Sequence, residues 1–271
     1  MSAGAASNAA MAQIIANRTA HLLPVLTHGY LGNMLGHKEA MDLICAAFLR
    51  FAYTAHVDDA VWAITYSAPG LQNTFTVNVA SHSFPHLQPY AVDPTSPYLQ
   101  VILDYIVPDL RISRVIRQHR WVQYRGGLRW RVNLENEAIH VVPPIFFVGA
   151  NHLAGVPLLH ARGALLDEAS LLCHDRLPFP LKTSIKLRVW LHGREPWCAQ
   201  IRLRTRGTQS PVTLAVFLQR VARLLDNYFR CGGTGHAAGS STDAQLNPSD
   251  IIIVGVVAVS SGSVMPILQI V

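Results

Sequence analysis

Arginine and aromatic side chains are interleaved in two parts of the sequence. Arg111, Arg114, Arg117, Arg120, Arg129 and Arg131 fall within residues 111–132 together with Trp121, Tyr124 and Trp130, and that stretch has seven arginines and no acid. The second part holds Lys186, Arg188, Arg202, Arg204 and Arg206. A guanidinium pairs with phosphate oxygens and an aromatic ring stacks on a base, so a surface with both suits RNA or another polyanion. The plainer alternatives are a solvated sheet face, or pairing with acids such as Asp58, Asp59 or Asp104. No RNP or KH sequence accompanies the arginines.

Other chemistries find less support. Thirteen histidines invite a metal site. His82 and His86 are four apart, but Pro85 lies between them and no helix face presents both. Cys231 and His236 have no second pair, and Cys173 and His174 are adjacent. Zinc needs three or four ligands, and no spacing here supplies a third. The expectation is no metal and no cofactor. There is no Gly-x-Ser-x-Gly elbow, and no catalytic residue is flagged. Gly232-Gly-Thr-Gly235 follows a helical pattern, where the dipole repels phosphate. The four cysteines (45, 173, 198 and 231) form no CxxC pair and read as reduced thiols.

The elements that must position the second arginine group are the most legible in the chain. Ile185, Leu187, Val189 and Leu191 alternate with Ser184, Lys186, Arg188 and Trp190, the pattern of a half-buried strand. His192 to Pro196 reverses the chain. A second strand follows, with Trp197, Ala199, Ile201, Leu203 and Thr205 on one face and Gln200, Arg202, Arg204 and Arg206 on the other. Thr213 is placed to cap a helix over about 213–229, whose stripe is Leu214, Phe217, Leu218, Val221, Leu224, Leu225 and Tyr228. Gly232 and Gly233 end it.

This order resembles a fungal, chiefly basidiomycete, domain family of unknown function, DUF6699, over roughly residues 128–271. The residues that carry the resemblance are Leu128-Arg-Trp130, Ile185-Lys-Leu-Arg-Val189, Pro196-Trp197, Ala199-Gln-Ile-Arg-Leu203, Val212-Thr213 and the strand Ile251 to Val257. Where the family has a Gly-rich Phe-Gly-Gly-Leu element, this chain has Ile253-Val-Gly255. The resemblance implies no activity.

Composition bounds the rest. With 271 residues, 50% hydrophobic and 14% charged, the chain is long and apolar enough for a substantial core. Residues 1–110 hold 3 Lys/Arg against 7 Asp/Glu, and residues 111–230 hold 19 against 7, so the positive charge is concentrated in the middle. Residues 1–10 read as disordered. Gly29, Gly32 and Gly36 read as punctuating a loop, Lys38 to Ala55 and Ala164 to His174 as helices, and Val61–Tyr66 and Thr74–Val79 as strands. The prolines of 81–97 mark a boundary between an N-terminal helical and short-strand region, 1–97, and a sheet-and-helix domain, 98–271. Gly126-Gly127 reads as a hairpin turn and 232–249 as a loop. Residues 251–271 are uncharged, long enough for a membrane anchor. Ser260-Ser-Gly-Ser263 divides them, so two buried strands are the better reading and a membrane the poorer one.

The expected fold is α+β, a mainly antiparallel sheet of hairpins with one principal helix packed on a face. The expected function is a non-enzymatic intracellular interaction module, cytoplasmic or nuclear rather than mitochondrial. Its partner is an unidentified protein or, alternatively, RNA or another polyanion bound through the arginines.

Overall fold

The computed structural model describes residues 27–40, 43, 64–65, 74–80, 98–107, 114–121, 144–163, 171–179, 181–231, 246–260 and 262–271. The expectations for residues 1–26, the loop at 81–97 and the Gly126-Gly127 turn lie outside them. So do most of the helices expected over 38–55 and 164–174 and of the loop expected over 232–249. The architecture is α+β.

The uncharged tail is the middle of the main sheet. Strands β9 (Ile251–Ser260) and β10 (Ser263–Ile270) form an antiparallel hairpin. Both its faces are covered, and a strand covered on both sides reads as an unbroken apolar run. One face holds Ile251, Ile253, Val256, Ala258, Val264 and Leu268, and the other Val254, Val257, Val259, Met265 and Ile267. In β9 the inward parity changes from odd to even at Gly255, where the register slips against β10 between Ile267 and Leu268. One extra residue at a bulge swaps the faces of everything beyond it.

Short strands share each outer edge of this hairpin. β5 (Ile145–Phe146) and β6 (Val156–Pro157) pair with successive parts of β9. β7 (Ser184–Val189) runs parallel to the start of β10, and β4 (Arg114–Val115) antiparallel to its end. β7 pairs with β8 (Trp197–Arg202), which closes the order β5-β9-β10-β7-β8. Gly255 admits β5: a Cβ there would run into the Ile145 carbonyl oxygen and lie 3.1 Å from the Phe146 Cα.

Helix α3 (Leu214–Cys231) covers one face. Leu214, Phe217, Leu218, Val221 and Leu225 are fully buried against Ile185, Leu187 and Ile201. Burial of each such side chain stabilises by about 1.5–3 kcal/mol before entropy is counted. The Thr213 hydroxyl accepts the Val216 N–H at 3.4 Å, as the capping pattern predicts. A short helix, α2 (Leu158–Arg162), lies beside α3. Buried Asp226 of α3 ties them, accepting from Arg162 and, at 2.8 Å, from Arg230.

The other face packs on α1 (Tyr30–Leu35) and β3 (Tyr98–Tyr105), with Tyr30, Leu31, Met34, Leu103 and Tyr105 in one cluster with Met265 and Ile267. β3 is also the edge of a second sheet, in the order β1 (Ile64–Thr65), β2 (Thr74–Ala80), β3. The expected loop at Gly29, Gly32 and Gly36 is therefore a helix. Gly29 and Gly36 are its two ends, and Gly36 takes a φ of 91° to leave it.

Candidate functional site

Alternation in β7 and β8 turns Ile185, Leu187, Val189 and Ile201 toward α3. It leaves Lys186 and Arg188, with Gln200 and Arg202, on the opposite face. Lys186 and Arg202 are exposed and Arg188 is half-buried. At about 3.3 Å per residue this face runs roughly 13 Å from the level of Arg202 to that of Arg188.

β8 ends at Arg202, earlier than the alternation predicts. Beyond it the Thr205 N–H donates to the Ser210 carbonyl at 2.9 Å and the Val212 N–H to the Leu203 carbonyl, a tight reversal. Gly207 sits in it at a φ of 92°. Arg204 bridges to Pro211 and Arg206 is carried on the turn, so neither continues the β8 face as a strand. Helix α3 adds cations that strand alternation does not predict. Arg220 reaches the outer edge of β8 and donates to the Arg202 and Arg204 carbonyls. Burial, then the neighbouring Arg223, Arg202 and Arg206 charges, pull its pKa down. Burial is the larger cause, and the three neighbouring guanidinium groups add to it.

A second group lies at the other end of β7. Residues 114–121 run along β10 and then cross to the end of β7, where Gln118 bridges Leu191 and the His119 N–H donates to the Trp190 carbonyl at 2.9 Å. The Arg188 guanidinium lies 3.8 Å from the Trp121 ring centroid and donates to the Ser263 hydroxyl at 3.0 Å. Trp121 meets Trp190 edge-on at 6.4 Å. Trp190 meets His119 at 4.9 Å, and His119 meets His192 at 3.9 Å. Burial first, then His119 and Arg117, lower the pKa of His192. His119, Trp190 and His192 are not among the site residues expected from sequence. The usable signal was alternation: Trp190 follows Arg188 on its face, and His119 lies between Arg117 and Trp121 at the same period.

The remaining expected residues are dispersed or outside the described residues. Arg114 is exposed in β4 opposite Ile270; Arg117 is exposed and Arg120 half-buried. Arg111, Tyr124, Arg129 and Arg131 lie outside the described residues, as does Trp130. Asp104 is fully buried and accepts the Leu31 and Tyr105 N–H groups at 3.1 and 2.8 Å. Burial pushes its pKa up to about 8 against the pull of those bonds. Among the described residues no three of His, Cys, Asp and Glu converge as metal ligands, and no helix is long and apolar enough to cross a membrane. No protein-family model, curated protein or solved structure matches the chain.

Proposed function

We propose that the chain is a non-enzymatic, intracellular interaction module, related to the fungal DUF6699 family, whose working surface is the basic side of β7 and β8. The inferred partner is a polyanion, with RNA as the first to test. One observation carries the reading. Arg220 of α3 donates to the Arg202 and Arg204 carbonyls at the outer edge of β8 and stands there with Arg202, Arg206 and Arg223, beside the Lys186 and Arg188 face of β7, while the nearby buried acid, Asp226, is already engaged by Arg162 and Arg230. Asp104 is likewise occupied by backbone N–H groups. The kinship rests on the hairpin, Pro196-Trp197 turn and Thr213-capped helix occurring in the family's order.

The test is a titration of the full chain with random-sequence single-stranded RNA across a salt series. The logarithm of affinity should fall linearly with the logarithm of salt, by about 0.7 for each phosphate neutralised. Absence of binding at low salt, or an affinity indifferent to salt, would rule out a phosphate-dominated contact and return the search to protein partners.

A further inference from the structure

We propose that the chain of rings from Trp121 through Trp190 and His119 to His192, flanked by Arg117 and Arg188, is a stacking platform for the unpaired bases of single-stranded RNA. The inference rests on the polyanion reading above and narrows it to a polyanion with open base faces.

The two histidines bring little to the fold. His119 and His192 are both exposed, yet their rings stand 3.9 Å apart at the centroids. Stacking two exposed imidazoles removes little apolar surface from water, so packing alone gives it a small return. Burial and the neighbouring His119 and Arg117 lower the His192 pKa, which favours an uncharged ring. A neutral ring can stack on a base without adding a charge. Further in, Trp190 and Trp121 are half-buried and continue the series. Arg188 is held in place by Trp121 on one side and Ser263 on the other.

Placement ties the rings to the cations. Arg188 belongs both to the ring series and to the basic face of β7 and β8. A strand whose phosphates follow Arg202, Lys186 and Arg188 therefore arrives with its next bases at Trp190 and His119. A duplex keeps its bases stacked inside and presents only its backbone. A base-free polyphosphate has nothing for the rings. Both the phosphate track and the stacking surface are used only by a single strand.

The experiment compares three probes on the full chain: a single-stranded RNA oligonucleotide, a double-stranded RNA of the same sequence, and inorganic polyphosphate of matched charge. Tryptophan fluorescence is the second readout. The single strand should bind about tenfold tighter than either the duplex or polyphosphate, and it alone should quench the tryptophans. H119A/H192A should lose most of that preference while keeping the polyphosphate affinity, which also verifies its fold. H119F/H192F, which keeps two rings, should restore the preference. Equal affinity for the single strand and polyphosphate, or a preference unchanged in H119A/H192A, overturns the platform and leaves the polyanion reading standing. Loss of polyphosphate binding in H119A/H192A also overturns it, because the histidines would then serve the fold or the phosphates. If none of the three polymers binds the wild type, both readings fall.

Discussion

Asp104 shows what burial does to a single group. Its carboxyl has no exposure; it accepts the Leu31 and Tyr105 N–H groups and so pins α1 to β3. Burial outweighs those bonds and raises the pKa from 3.8 to about 8. The folded state therefore holds this proton more tightly than the unfolded chain. The contribution to stability is fully present below about pH 4 and is lost as pH rises through 8. The melting temperature of the wild type should fall over that window relative to Asp104→Asn, which has no proton to lose; parallel pH profiles for the two would contradict the assignment. The sequence offers Asp104, like Asp58 and Asp59, as a partner for the arginines, because spacing does not report depth. His119 is not legible for a related reason: its ring partners are at 190 and 192, and they meet through the bridge of Gln118 to Leu191 and the bond from the His119 N–H to the Trp190 carbonyl.

Among the elements, β7, β8 and α3 were legible because each carries a clean period, two in the strands and near 3.6 in the helix. Strands β4, β5 and β6 were not. Each is two residues long and pairs with an edge of β9 or β10, so each is defined by its partner rather than by any periodicity of its own. Helix α1 was hidden by its glycines, which sit at its ends and within it. The β9–β10 hairpin was readable as two buried strands, but its bulge was not, since an apolar run covered on both faces shows no alternation to interrupt. Gly255 marks that bulge and the close approach of β5. Gly255→Ala should push β5 away and destabilise the fold by about 1–3 kcal/mol. Chemical denaturation would read this as a lower midpoint, and an unchanged midpoint would mean that β5 can shift aside without cost.

At the scale of the whole molecule, part of the excess of Lys and Arg in residues 111–230, that carried by β7, β8 and α3, is brought together in space. The hairpin's exposed face and the outer edge of β8 collect cations from three segments of the chain, and α3 contributes Arg220 and Arg223 that no strand pattern would have included. Such a concentration raises the local density of an anionic partner and speeds its arrival, an effect that weakens as salt is added. The most direct test compares the wild type with Arg202, Arg204 and Arg206 all changed to Ala, measuring single-stranded RNA affinity across a salt series. If the edge of β8 neutralises phosphates, the variant binds more weakly and its salt dependence flattens by about 0.7 for each phosphate it no longer neutralises, or roughly two in total if all three arginines pair with phosphate. Equal affinities and equal slopes for the two proteins would show that these arginines are ordinary solvated surface and that the partner binds elsewhere.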